Sequence, residues 1–103
     1  MMEEIDRRER GRRRLREPVA AEWAGQRITG EASELSPDSI FVETGSPPPE
    51  EVQVQITIGS GAEAIRLPCR VRRAASGGFA GEFEALSPEQ RTALEKLLAR
   101  LPY

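Results

Sequence analysis

The sequence predicts a mainly β domain, a six-stranded antiparallel barrel followed by one C-terminal α-helix. Three observations carry this. Two runs, residues 52–58 and 65–71, alternate apolar and polar side chains with period 2, the pattern of half-buried strands. After Ser87 the apolar spacing switches to that of a helix. The chain has 103 residues, room for one domain, and six short strand-like segments in so small a chain favour closure, which removes exposed edges.

Residues 1–16 come first and differ from everything that follows. They hold seven of the fifteen basic residues and almost no apolar periodicity, only Ile5 and Leu15. This segment is expected to be a mobile arginine-rich arm, with residues 17–103 as the folded unit. From Pro18 the texture changes. The stretches PVAAEWA, QRITGEASE and SIFVET read as short strands, punctuated by Gly25 and by LSPD. GSPPPEE is a stiff loop. In the fourth segment Val52, Val54, Ile56 and Ile58 alternate with Gln53, Gln55 and Thr57. GSGAE turns the chain, and Ile65, Leu67, Cys69 and Val71 alternate with Arg66, Pro68, Arg70 and Arg72, so the two runs are expected to pair. Pro68 has no amide hydrogen and is expected to face outward at an edge or bulge. FAGEF is the last strand. Ser87, Pro88 and Gln90 then form a helix start, with serine as N-cap, proline at the first helical position and glutamine at the third. Leu94, Leu97, Leu98 and Leu101 line one face, and Pro102 stops the helix.

Several kinds of chemistry are excluded by composition. There is no histidine, the usual acid–base group near neutral pH. One cysteine and no histidine leave no zinc-type spacing, and no P-loop or nucleophile elbow occurs. Cys69 falls on the apolar face of a strand and reads as packing. No apolar run approaches the roughly 20 residues that span a bilayer, and the charged N-terminus has no signal-like apolar stretch. The protein is therefore expected to be a cytoplasmic binding module, not an enzyme and not inserted in a membrane.

The charge is unevenly distributed. Residues 1–16 carry a net +3 and residues 17–103 a net −5, which gives −2 overall. An arginine segment on an acidic body, without interleaved aromatic residues, is not the pattern of a general nucleic-acid surface. It suits a solvated tail or a local anion clamp. Arginine offers a planar fork that grips phosphate or a guanine edge in two places.

The arrangement resembles the PilZ domain, a bacterial receptor module for cyclic di-GMP. In that family an RxxxR motif precedes the first strand, a (D/N)xSxxG motif falls between the next two, and a six-stranded barrel and a C-terminal helix complete the domain. Here RRERGR (residues 7–12) occupies the first place and ELSPDS (residues 34–39) the second. The pairs Arg8/Arg12, Arg10/Arg14 and Arg12/Arg16 all fit RxxxR, and the distance to Pro18-Val19 selects Arg8 and Arg12. In the second motif Ser36 is retained, whereas Glu34 stands for the family's Asp or Asn and Ser39 for its Gly. Glutamate keeps the acceptor on a longer stem. A glycine permits close approach or a backbone that is costly for other residues, so Ser39 is expected to shift the loop, and restoring Asp and Gly to strengthen binding.

The resemblance implies a cyclic di-GMP receptor with Arg7, Arg8, Arg12, Glu34, Ser36 and Ser39 as ligand-binding residues. It implies no cofactor beyond the nucleotide, and an unknown protein effector as partner, with the chain a monomer or dimer. The other reading it allows is a PilZ-like protein that binds no nucleotide and acts through protein contacts alone, in motility or pilus control. Read without the resemblance, Ser36 beside Pro37 also suits a turn, and Glu34 a strand end.

Overall fold

A computed structural model describes residues 13–101 of the chain. Six strands, β1 (Arg13–Trp23), β2 (Gln26–Leu35), β3 (Ser39–Glu43), β4 (Gln53–Ile58), β5 (Ile65–Ala75) and β6 (Gly78–Phe83), are followed by helix α1 (Pro88–Arg100). All neighbouring pairs are antiparallel, and the barrel closes in the order β1-β2-β3-β6-β5-β4. The expected mainly β barrel with one C-terminal helix is what the chain forms.

β1 starts at Arg13, inside the segment that composition assigned to an arm ending at Arg16. Arg13 pairs with Leu35 and Arg14 with Glu34. Backbone hydrogen bonding overrides side-chain composition here, because the C-terminal half of β2 would otherwise present an unpaired edge. The β1–β2 hairpin turns through Ala24 and Gly25, with φ of 48° and 78°. Positive φ at both central residues is the geometry that matches the twist of the flanking strands.

The alternating residues fill the barrel as their period requires. Val54, Ile56 and Ile58 of β4, Leu67, Cys69 and Val71 of β5, and Ile40 and Val42 of β3 are buried together with Phe79 and Leu35. No polar or charged residue is buried among the described residues. Gly81 is part of this packing: a β-carbon there would collide with Cys69 Sγ, so the thiol occupies the space that the glycine leaves.

Pro68 does not lie at an edge, since a closed barrel has none. It sits opposite Gln55 of β4, and its carbonyl accepts from Glu84 N at 3.1 Å on the other flank. In an antiparallel ladder a residue's N and O face the same neighbour. The missing N–H therefore faces Glu84, past the last pair Cys69–Phe83, so only a bond at the very end of the β5–β6 ladder is given up.

Ser87 caps α1 with a capping box. Its Oγ accepts from Gln90 N (3.1 Å), while its own amide donates to Gln90 Oε1 (2.9 Å). Gln90 Nε2 also donates to the Arg66 carbonyl of β5 (3.0 Å), which fixes the helix to the barrel. Leu94, Leu97 and Leu98 are buried against the core, and Leu101 packs half-buried beside them. The strand directions bring α1, the β2–β3 loop, the β4–β5 turn and the start of β1 to the same end of the barrel.

Candidate functional site

β2 ends at Leu35 and β3 begins at Ser39, so three residues reverse the chain. Ser36 organises them. Its Oγ accepts from the amides of Asp38 (3.2 Å) and Ser39 (3.0 Å) and lies 3.0 Å from Ser39 Oγ. Its amide donates to the Ser39 carbonyl (2.9 Å). A serine hydroxyl bonding the backbone two and three residues ahead is a side-chain mimic of a turn. The Asp38 carbonyl accepts from Phe83 N (2.9 Å), tying the loop to the end of β6.

The loop forms one wall of a pocket of about 170 Å³, lined by Glu34, Ser36, Ser39, Phe41 and Ala80 with Leu35 and Ile40 behind them. Glu34 reaches the outer face through a register shift between Ala32 and Glu34, where β2 carries one residue more than β3. The structure thus brings together three of the six residues that the sequence singled out, Glu34, Ser36 and Ser39. The other three, Arg7, Arg8 and Arg12, lie outside the described residues. Ser39 corrects one expectation. It is the first residue of β3, in strand backbone, and it is not among the residues with positive φ. The loop places no conformational penalty on a side chain there, and the Ser39 hydroxyl is turned to Ser36.

Phe41 and Ala80 line the pocket and were not anticipated. Each lies on the polar face of a strand, where the alternation marks a half-exposed position, and nothing local says that β3 and β6 are neighbours. The register pairs them directly.

The surrounding charges are mostly spoken for. Arg16 lies 3.6 Å from Glu31, with both side chains largely exposed. Arg70 Nε donates to Glu84 (2.7 Å) and its Nη1 to the Glu51 carbonyl (2.8 Å). Arg72 bonds Glu82 (2.8 Å) and Glu51 (3.0 Å). These two arginines clamp the proline-rich loop onto β5. Cys69 is fully buried, and desolvation, aided by Glu84 and Glu82, pushes its thiol up to about 12. A thiol so held is not a nucleophile. No group of three metal-ligating side chains occurs among the described residues, and no helix among them is long and apolar enough to cross a membrane. A larger groove of about 600 Å³ runs between α1 and the β4–β5 turn, where Lys96 and Arg100 share the rim with Glu17 and Glu63.

The fold has close counterparts among solved structures. The PilZ domain of CeSA from a cellulose-synthesizing bacterium superposes with a TM-score of 0.75 at 23% identity, covering 85% of this chain and 94% of that one. The PilZ domain of YcgR from Escherichia coli, solved with c-di-GMP, gives a TM-score of 0.75 at 12% identity, over 87% of each chain. The inhibitor of motility MotI/DgrA from Bacillus subtilis gives 0.69 at 17% identity, over 86% of this chain and 47% of its own. No curated protein sequence matches. A sequence model of the PilZ domain matches residues 6–100, from the arginine segment to the end of α1. With that match running through the barrel, the loop and the capped helix alike, the chain belongs to the PilZ domain family, a family of cyclic di-GMP receptors.

Proposed function

We propose that this protein is a cyclic di-GMP receptor of the adaptor type. Its arginine arm, the part of residues 1–16 that precedes β1, closes over a nucleotide seated on the 34–39 loop and so changes the surface offered to a protein effector. One observation carries the reading. β1 enters the barrel with Arg13 opposite Leu35 and Arg14 opposite Glu34, so the chain that bears the RxxxR motif joins the fold beside the pocket. A residue spans at most about 3.6 Å, which keeps Arg8 within roughly 18 Å of Arg13 and Arg12 adjacent to it. Arginines delivered there can bridge phosphate bidentately and stack on a purine, while the Glu34 carboxylate is an acceptor for guanine N–H groups. The PilZ domain of YcgR, whose fold this chain shares, was solved with c-di-GMP, which supports the ligand class. The output is the changed surface that the closed arm presents to the effector.

Titration calorimetry on the purified chain tests this. Wild type is expected to bind cyclic di-GMP. Arg8→Ala and Arg12→Ala are each expected to weaken it about 10- to 100-fold, since a hydrogen bond to a charged group is worth about 1.5–3 kcal/mol. If Arg10→Ala and Arg14→Ala abolish binding while the first pair leaves it intact, the motif register is the second one. No heat at saturating nucleotide would sink the receptor reading.

A specific feature favours a second reading, an adaptor that binds no nucleotide. The hydroxyls of Ser36 and Ser39 lie within hydrogen-bonding distance of each other, and Ser36 Oγ also holds two amides. A loop so satisfied is well formed without a ligand. Under that reading the same titration is silent, and the arm acts only on protein partners.

A further inference from the structure

The register of the barrel sets four outer-face residues side by side across β2, β3, β6 and β5. Glu34 is opposite Phe41, Phe41 opposite Ala80, and Ala80 opposite Arg73. At about 4.8 Å between strands, the row runs roughly 14 Å from one charge-bearing residue to the other.

Two bulges build it. One lies between Ala32 and Glu34, the other between Val71 and Arg73. Strict alternation from the buried Val71 would turn Arg73 into the core. With the extra residue, Arg72 and Arg73 are both exposed. Bulges recur where a side chain has to be re-aimed. Arg70 and Arg72 have carboxylate partners, but no ion pair or side-chain hydrogen bond among the described residues holds Arg73. The middle of the row is apolar and open. Phe41 is half-buried, and its ring edge lies over Gly78, with Cζ and Cε2 3.0 and 3.1 Å from where a β-carbon would stand. Ala80 beside it carries only a methyl group, which leaves the pocket its depth.

We propose that this row is the base-recognition face of the site, with Phe41 and Arg73 as ligand-contacting residues outside both sequence motifs. A purine stacks against Phe41 above Ala80. The Glu34 carboxylate accepts from N1–H and the 2-amino group of guanine at one end, and the Arg73 guanidinium donates to O6 and N7 at the other. Adenine offers an amino group in place of O6 and no 2-amino group, so the two charged ends select guanine and the ring serves either base. The proposal rests on the 34–39 loop being a cyclic dinucleotide site, and it adds the residues that choose the base.

Calorimetry of the full chain with cyclic di-GMP and with cyclic di-AMP tests it, with folding checked by circular dichroism. Wild type should prefer cyclic di-GMP. Arg73→Ala should weaken cyclic di-GMP about tenfold and leave cyclic di-AMP nearly unchanged, so that discrimination shrinks. Phe41→Leu should weaken both nucleotides about tenfold, and Phe41→Tyr, which keeps a ring, should bind as wild type does. Should Phe41→Leu fail to fold, the contrast between Arg73→Ala and Arg66→Ala, an exposed control on the same strand, decides. If wild type binds and Arg8→Ala weakens it, but Arg73→Ala and Phe41→Leu match wild type for both nucleotides, the row is not the recognition face and the receptor reading stands. If wild type binds neither nucleotide, both readings fall together.

Discussion

Ser36 and Ser39 act first on the loop and only through it on any ligand. Ser36→Ala removes the acceptor for two amides, and the expected loss is about 1–2 kcal/mol of unfolding free energy in a urea titration, the range for an amide-capping hydroxyl. Ser39→Gly looks from the sequence like a repair toward the family motif. Ser39 has strand backbone and a hydroxyl partner, so the change should lower stability by about 1 kcal/mol, through backbone entropy and the lost hydrogen bond, without tightening nucleotide binding. An affinity gain from Ser39→Gly alone would show that the serine obstructs the ligand. Glu34→Asp, which shortens the acceptor, stays the informative change at this motif. Cys69 supplies a separate check. Its thiol, raised by burial from 9.0 to about 12, stays protonated in the fold while the unfolded chain ionises. The folded state then holds the extra proton, so its stability is intact below pH 9 and falls as pH rises toward 12. Reagents for free thiols should label Cys69 at pH 8 only after denaturant is added. Rapid labelling of the native protein would contradict the burial.

At the scale of elements, the β1–β2 hairpin and the start of α1 are the most exposed to single changes. Ala24 sits at φ 48° before Gly25 at 78°, a pair of positions that Asn-Gly fills best. A left-handed alanine costs on the order of 1 kcal/mol. Ala24→Asn should recover about half to all of it, raising Tm by a few degrees for a domain of this size. An unchanged or lower Tm would mean that strand pairing has already absorbed the strain. Gln90 is used twice, in the capping box and in the bond to the Arg66 carbonyl. Gln90→Glu keeps the acceptor in the box and loses the donor to β5, whereas Gln90→Ala loses both. The expected order of stability is wild type, Glu, Ala, spaced by about 1 kcal/mol each. Equal stability of Glu and wild type would show that the tether to Arg66 contributes nothing.

Closure of the barrel places the 34–39 loop, the helix and the entry of β1 at one end, and leaves the proline-rich 44–52 loop and the β1–β2 turn at the other. The charge network crosses the middle of β5 and the loop end of β6, where Glu82 is paired with both Arg70 and Ser39. Arg70 and Arg72 hold Glu84, Glu82 and the Glu51 segment to one another across β5 and β6. Arg72 keeps its proton more firmly than a free arginine, first through its hydrogen bond to Glu82. Arg70→Ala should lower stability by about 1 kcal/mol, discounted because both members of its pair are about a third exposed. Cyclic di-GMP affinity should stay nearly unchanged, since Arg70 is held by Glu84 and the Glu51 carbonyl and does not line the pocket. A loss of affinity at Arg70 comparable to that at Arg73 would mean that the charge network and the row from Glu34 to Arg73 act as one unit.

Local patterns were enough for the elements. Alternation of Val54, Ile56 and Ile58 with glutamine and threonine, and of Leu67, Cys69 and Val71 with arginine, specifies a strand and its inward face, because the side-chain period of a strand is two wherever it sits. Ser87, Pro88 and Gln90 specify a helix start for the same reason, since a capping box is closed by residues three apart. The arginine segment and the Ser36 loop were legible as motifs, and Ser36 as a turn former. Tertiary structure decided the rest. β3 and β6 are neighbours although even their nearest paired residues, Glu43 and Gly78, lie 35 positions apart, so nothing short-range could pair Phe41 with Ala80. The bulge at Val71/Arg73 is set by closing the barrel, and it turned an arginine that alternation assigned inward to the outer face. Arg13 joined β1 because β2 needed a partner for its backbone, a demand that side-chain composition does not record.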